Sequence, residues 1–285
     1  YDAAGYLRGI KYPDNDVIGA FGGSGTALGY DTAGRLNSIP GILTSVTYNA
    51  LGAPLVQTNA NGTTTTKTYD ASRFWLTDID TVSGGSVVLH DLHYAMNDAG
   101  MATSVTSPFA KEGWSYGYDE LNRLVSATNT SHASESQTWT YDSLGRFPSN
   151  SRVGTTFSYP SSGQARPHAP TQISGGALGT LTFSYDANGN MTSGNGKTLN
   201  WRPDDLPSSI TASGVTVNFT YDAVGERIKK LNTSTGAATL YPFEDFEISG
   251  NTLTKFITGE SLGSIAKRVT DLSTNSTSTF WLHGD

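Results

Sequence analysis

The chain has 285 residues, 32 glycines, no cysteine, 15% charged residues and a formal net charge of −7. This length suffices for one large domain or two ordinary ones with a buried core, and the lack of cysteine excludes disulfides and thiolate metal sites. The composition excludes a coiled coil and a collagen. The negative charge argues against a nucleic-acid-binding protein, and no run of about 18 apolar residues predicts a membrane span.

A short motif recurs along the whole chain. Tyr-Asp occurs seven times, and Tyr-Asn adds an eighth copy, with glycine or asparagine four places after most of the tyrosines. Such self-similarity is typical of a repeat protein. The repeat residues that we expect to be structural are Tyr1, Asp2, Gly5, Tyr30, Asp31, Gly34, Tyr48, Asn49, Gly52, Tyr69, Asp70, Tyr118, Asp119, Asn122, Tyr141, Asp142, Gly145, Tyr185, Asp186, Gly189, Tyr221, Asp222 and Gly225.

Weaker copies fill the gaps at residues 96, 159 and 201, and bring the number of units to eleven. The units start at residues 1, 30, 48, 69, 96, 118, 141, 159, 185, 201 and 221, about 22 residues apart on average. We therefore predict a single array over residues 1–285. Because the chain opens inside a repeat, we interpret it as a fragment of a larger protein.

Each unit is predicted to be a β-hairpin. Apolar residues alternate before the tyrosine, as at Val215, Val217 and Phe219, which is typical of a strand with one buried face. The aspartate can accept the backbone N–H two residues on, and the glycine can take the positive φ that closes a type I turn with a bulge. Arg73 stands in the glycine position of one unit, so that turn should be strained or of another type.

The hairpins are expected to join edge to edge, since a single hairpin cannot bury its apolar face. The predicted fold is all-β, a curled or spiralling antiparallel sheet of consecutive hairpins that forms a partial β-shell. The repeat tyrosines should pack in its core, so Tyr221→Ala should cost ~3–5 kcal/mol of stability. Replacing an exposed threonine of the run 63–66 should cost less than ~0.5 kcal/mol.

The motif Tyr-Asp-x-x-Gly-Arg at irregular spacing resembles the YD-repeat, or Rhs-repeat, family. That family includes bacterial Rhs proteins, the C component of insecticidal Tc toxins, wall-associated proteins and teneurins. The segment 241–247, followed by Lys255-Phe256-Ile257, is similar to a strand pair that closes Rhs cores. The segment 280–285 looks like the lead-in to a further family motif.

The resemblance implies a β-shell that encloses or scaffolds a polypeptide, with no catalytic residue and no cofactor in this chain. The implied partners are the protein's own C-terminal toxin or other cargo domain and flanking shell segments. The implied location is secreted or at the bacterial cell surface, after delivery by a secretion system. The alternative is an extracellular adhesin or carbohydrate-binding scaffold that binds a cell-surface glycan.

Two short motifs resemble parts of enzyme active sites. Gly259-Glu260-Ser261-Leu262-Gly263 matches a hydrolase nucleophile elbow, with Asp271 and His283 following, but a strand rather than the required helix is predicted after the serine. The segment 194–198 ends like a phosphate-binding loop, but it lacks the first glycine of that motif and the helix. Both are interpreted as hairpin turns, and Phe21–Gly25 as a flexible connection.

Three groups of residues contain side chains that could bind a metal ion. His90 and His93 would point to opposite faces of a strand, which separates their imidazoles. The pairs 14/16 and 78/80 offer aspartate oxygens without the spacing of an EF-hand loop. All three are interpreted as surface residues, and both aspartate pairs, 14/16 and 78/80, as solvated turn residues. The many aromatic residues are interpreted as core rather than as a carbohydrate-binding groove, with Trp75 and Trp201 least explained.

Overall fold

The computed structural model describes residues 1–161, 163–259 and 261–283. These residues form strands almost throughout, with a 3-10 turn at Ala133–Glu135. The strands are β1 (Gly9–Lys11), β2 (Val17–Gly19), β3 (Gly29–Tyr30), β4 (Leu36–Ser38), β5 (Leu43–Tyr48), β6 (Pro54–Asn59), β7 (Thr64–Tyr69), β8 (Leu76–Val82), β9 (Val88–Met96), β10 (Ala102–Thr106), β11 (Trp114–Tyr118), β12 (Leu124–Asn129), β13 (Gln137–Thr140), β14 (Ser149–Asn150), β15 (Thr156–Ser158), β16 (Gln172–Gly176), β17 (Gly179–Tyr185), β18 (Met191–Gly194), β19 (Lys197–Trp201), β20 (Pro207–Ala212), β21 (Val215–Tyr221), β22 (Arg227–Asn232), β23 (Ala238–Phe243), β24 (Phe246–Ser249), β25 (Thr252–Gly259), β26 (Gly263–Asp271) and β27 (Ser276–Trp281).

The chain divides into two compact units, residues 1–113 with 254–285, and residues 114–253. In the first unit, hairpins β1–β2 and β3–β4 precede the meander β5–β10, and β25–β27 follow one another in a sheet. The second unit contains the runs β11–β14 and β15–β24, in which each strand again neighbours the next one in sequence. This antiparallel hairpin order confirms the predicted all-β fold class. No helix among the described residues is long and apolar enough to cross a bilayer.

Two kinds of turn alternate along each meander. The repeat turns connect pairs such as β5–β6 and β21–β22, where the strand register shifts by one residue at the tyrosine. This shift is the bulge that the sequence predicts. The intervening turns vary in length. Two of the shortest, Asn195-Gly196 and Ser213-Gly214, have positive φ at both residues, as a two-residue hairpin requires. The repeat turns therefore collect on one edge of each sheet.

The buried core of the first unit lies on one face of its meander. Ile79 and Thr81 of β8 are fully buried, whereas Asp78 and Asp80 point to the opposite face, as the two-residue period of a strand dictates. The expectation that Asp78 and Asp80 are turn residues is therefore wrong, because both lie inside β8. Strands β25 and β26 contribute further buried residues. The indole N–H of Trp281 in β27 donates to the carbonyl of Ile42, which ties the C-terminal hairpin to the start of the meander.

Three details differ from the sequence-based expectations. The unit at residue 159 has no four-residue turn, because a loop over residues 159–171 joins β15 to β16; Ser162 lies outside the described residues. The glycine-rich segment at Phe21 is a closed turn, in which Phe21 and Ser24 exchange two backbone hydrogen bonds. Thr63 is buried, so only Thr66 in the run 63–66 is exposed.

Candidate functional site

The repeat turns are closed by the side chain of their aspartate. Asp31 Oδ1 accepts the backbone N–H groups of Ala33 and Arg35, both at 2.9 Å, and the Gly34 N–H donates to the Asp31 carbonyl at 3.0 Å. Gly34 has a φ of 79°, a region that glycine adopts without strain. The same pair of bonds to one side-chain oxygen recurs at Asp2, Asn49, Asn97, Asp119, Asp142 and Asp222. The second of these two bonds is additional to the one that the sequence predicts.

The two exceptional turns differ in their backbone. Asn122 stands in the glycine position with a φ of 61°, a conformation that asparagine tolerates. At the Arg73 turn the positive φ moves to Phe74, and the Asp70 N–H reaches the carbonyl of Trp75, one residue farther than in the other units. The turn is therefore of another type, and it leaves Phe74 half-exposed.

The repeat tyrosines connect each hairpin to the preceding one. The Tyr48 hydroxyl donates to the carbonyl of Leu36, which lies two residues beyond the preceding turn glycine. Tyr30, Tyr69, Tyr141, Tyr159 and Tyr221 reach the carbonyls of Leu7, Pro54, Leu124, Phe147 and Pro207 at the same offset. Trp201 makes the equivalent bond to Met191 through its indole N–H. The tyrosines inside the array are only half-buried, so the expectation that they are core residues is wrong; they line the turn edge.

The arginine after the turn glycine makes a second connection between neighbouring hairpins. The Arg35 guanidinium binds Asp31 Oδ2 at 2.7 Å, lies 4.7 Å from the centre of the next tyrosine ring, Tyr48, and donates to the carbonyl of Asn49 at 3.1 Å. Arg123 and Arg146 repeat the ion pair with their own aspartate and lie over the rings of Tyr141 and Tyr159. The sequence shows the recurring arginine but not this bridging role.

Several aspartates and tyrosines of the turn edge, the row of repeat turns along one edge of each sheet, have shifted pKa values that stabilise their contacts. Hydrogen bonds from the side chain and backbone of Arg35 lower the pKa of Asp31, and Asp119 has a lowered pKa because the backbone and side chain of Arg123 bind it. Burial raises the pKa of the Tyr221 hydroxyl. The carboxylates therefore stay ionised and the phenols neutral at neutral pH, which maintains the ion pairs and the hydroxyl donors.

A second cluster joins residues that are far apart in sequence. The Lys255 side chain is 1% exposed, and its ammonium donates to Asp14 Oδ2 and Asp16 Oδ2, both at 2.6 Å. Arg268 donates to both oxygens of Asp16, and the Lys255 ammonium lies 5.1 Å from the centre of the Tyr12 ring. We call these residues the clasp. Asp14 lies in a turn, as predicted, but the interpretation of Asp14 and Asp16 as merely solvated is wrong, because both are paired with cations.

The histidine segment on β9 forms a charged surface group. His93 Nδ1 lies 2.6 Å from Asp78 Oδ1, and its Nε2 lies 3.0 Å from Asp91 Oδ1. The hydrogen bond that the imidazole donates to the Asp78 carboxylate raises the pKa of His93. His90 points to the other face, as predicted. Within the described residues, no group of three or more histidine, aspartate or glutamate side chains is placed to hold a metal ion.

The hydrolase-like residues are held apart by a strand. Ser261 precedes β26 and Asp271 ends it, so roughly 25 Å separate them at ~3.3 Å per residue. Asp271 accepts from the backbone and hydroxyl of Ser273 instead. Glu260 of the motif, and Gly284 and Asp285 at the end, lie outside the described residues. The glycine-rich segment before Lys197 is the tight β18–β19 turn, without a helix.

Comparison with known proteins identifies relatives among toxin subunits. Toxin subunit YenC2 of Yersinia entomophaga is 29% identical over 225 residues, which are 67% of this chain and 23% of YenC2. The crystal structure of TcdB2-TccC3 superposes with a TM-score of 0.65 at 18% identity, over 95% of this chain and 17% of that chain. The Photorhabdus luminescens Tc holotoxin pore gives a TM-score of 0.58 at 19% identity, over 95% of this chain and 15% of that one.

No family model matches the chain. The matches nevertheless confirm the resemblance to the YD-repeat family on which the sequence analysis depends, through homology to YenC2 and through the fold shared with TcdB2-TccC3. The chain spans less than a quarter of YenC2, the curated relative that it matches.

Proposed function

We propose that this chain is a non-catalytic segment of a toxin shell of the Rhs type, which encloses or scaffolds a polypeptide cargo. The observation that carries the proposal is the turn edge, where tyrosine and arginine side chains bridge one hairpin to the next. These bridges give a wall that grows by repetition. The homology to a Tc toxin subunit supports the same role.

The mechanism is exclusion rather than chemistry. Strands inside each meander pair with both neighbours. Where the turn of one hairpin meets the tyrosine of the next, a contact that we call a joint, the turn edge adds a tyrosine hydrogen bond and, at several joints, an arginine contact. A wall of this kind keeps a polypeptide away from proteases and partners without binding a particular sequence. The partners proposed are a cargo domain and flanking shell segments, and the site of action is outside the producing cell.

Protease protection tests this function. The complete gene product is digested with a broad-specificity protease, and the survival of segments outside the repeat array is followed by mass spectrometry. The expected result is that an enclosed segment survives much longer than the same segment produced alone. The control is digestion in urea at a concentration that unfolds the array, where protection should vanish.

The outcome that contradicts the proposal is equal digestion of the segment inside and outside the gene product. If, in addition, a glycan array gives a clear and specific hit, the hypothesis of an adhesin replaces that of a toxin shell. A serine-reactive fluorophosphonate probe that labels Ser261 would contradict the non-catalytic assignment.

A further inference from the structure

At one joint of the turn edge, no side chain of the described residues bridges the turn of one hairpin to the tyrosine ring of the next. At the first joint Tyr6 occupies the position after the turn glycine and stacks on Tyr30, with ring centres 4.8 Å apart. At the next joint Arg35 lies over the Tyr48 ring. At the third joint the equivalent position is Ala53, whose methyl group is too short to reach the Tyr69 ring.

A cavity of about 420 Å³ lies at this joint. Its lining includes the groups that correspond to those around the Arg35 guanidinium: the ring of Tyr69, the side chain of Asn49 and the start of the next turn at Asp70. Phe74, which the irregular turn leaves 52% exposed, forms another part of the wall. We call this cavity the Ala53 gap.

One carboxylate, that of Asp70, lines the gap beside the Tyr69 ring. Asp70 Oδ1 accepts from the backbone of Ser72 and Arg73, and among the described residues no donor is placed on Asp70 Oδ2. Asn49 uses its amide oxygen for its own turn, so it supplies no second carboxylate. Lys67 also lines the gap, and it forms no ion pair with another described residue. The one carboxylate and the flat aromatic ring therefore define the site.

We propose that the Ala53 gap binds an arginine side chain of a polypeptide partner. A guanidinium is planar, stacks on aromatic rings and donates to carboxylates and carbonyls. One joint earlier Arg35 stacks on Tyr48, binds Asp31 of its own turn and donates to the carbonyl of Asn49, and the counterparts of these three residues at the gap are Tyr69, Asn49 and Asp70. The volume lies within the usual range of ligand sites. The proposal depends on the comparison between joints and is independent of the shell function.

The test uses N-acetyl-arginine amide as the probe and the methyl groups of Leu55 and Val56, which both line the gap, as reporters in ¹³C-methyl NMR spectra. The probe should shift these methyl signals in a saturable way. N-acetyl-lysine amide should bind at least about threefold more weakly, because an ammonium does not stack as a plane. Equal binding of the two amides, or no shift at all, would overturn the proposal.

Variants locate the binding. Ala53→Arg fills the gap from within and should abolish the methyl shifts, whereas Ala33→Arg adds the same charge at an exposed turn position and should leave them unchanged. Unchanged binding in Ala53→Arg would also overturn the proposal.

A pair of charge variants keeps the test decisive should Ala53→Arg fail to fold. Asp70→Asn retains the turn acceptor but removes the charge, so it should weaken arginine binding about threefold or more. Lys67→Gln removes a repelling charge and should strengthen binding. The opposite order of these two affinities would show that the carboxylate does not hold the probe.

Discussion

The turn edge and the clasp hold the protein together in opposite ways. Along the turn edge each contact joins neighbouring units, the groups are half-exposed, and the pattern repeats from one joint to the next. The clasp joins residues 239 to 252 positions apart around a lysine that is 1% exposed. A repeated local contact is weak singly and shared by many joints, whereas a buried charge depends wholly on its few partners. One substitution in the clasp should therefore matter more than one at the turn edge.

The largest effect is expected for Lys255→Ala. It leaves Asp14 without its cation and Asp16 with Arg268 alone, so stability should fall by ~3 kcal/mol, the typical cost of breaking a buried pair. Urea unfolding at neutral pH measures this loss. Lys230→Ala, at an exposed lysine, is the control and should stay within ~0.5 kcal/mol. Similar losses for the two variants would show that the clasp contributes no more than a surface charge.

The clasp should also respond to acid. Burial of Asp16 opposes ionisation, but hydrogen bonds from Lys255 and Arg268 outweigh it and lower its pKa below the usual 3.8. Its contribution is therefore present above that usual value and is lost as the pH falls through the lower pKa of the folded state. The stability difference between the native chain and Lys255→Ala should shrink on acidification below about pH 4. A difference that is constant with pH would contradict the ion-pair account.

The contrast between the turn edge and the clasp also explains which features the sequence predicts and which it does not. The turns were predictable because the aspartate, the glycine and the period-two strands act within a few residues of one another. The role of Arg35 was hidden, because its ring partner lies in the next unit and spacing alone does not give the register. The clasp was unpredictable, since nothing near Asp14 in sequence indicates that Lys255 folds onto it. The half-burial of the tyrosines depends on how the sheets pack.

At the turn edge, Tyr221→Ala should cost about 2 kcal/mol, less than a core aromatic, because the ring is half-buried. It removes the hydroxyl bond to Pro207 and the ring under the Arg202 guanidinium. Tyr221→Phe keeps the ring and should cost about 1 kcal/mol, the net value of a hydrogen bond. Thr66→Ala is the neutral control. A loss for Tyr221→Ala that equals the Lys255→Ala loss would remove the distinction between the two regions.

A smaller effect is expected for Arg35→Lys. The lysine keeps the charge but loses the planar contact with the Tyr48 ring, so stability should fall by about 0.5–1 kcal/mol. Arg152→Lys is the matched control, because Arg152 pairs with Glu135 on the surface and has no aromatic partner among the described residues. Thermal unfolding of both variants checks the prediction. If Arg152→Lys loses as much stability as Arg35→Lys, the contact between Arg35 and the Tyr48 ring does not stabilise the joint.

The smallest effect belongs to His93, whose imidazole is 55% exposed. The hydrogen bond that it donates to the Asp78 carboxylate raises its pKa, and the charges of Asp91 and Asp80 act in the same direction. This contribution to stability is present below the usual pKa of 6.5 and is lost as the pH rises through the raised value. An NMR titration of the imidazole should give a midpoint above 6.5 that falls in Asp78→Asn and is unchanged in Asp271→Asn. If the midpoint of the imidazole titration is the same in Asp78→Asn as in the native chain, His93 and Asp78 are not paired in solution.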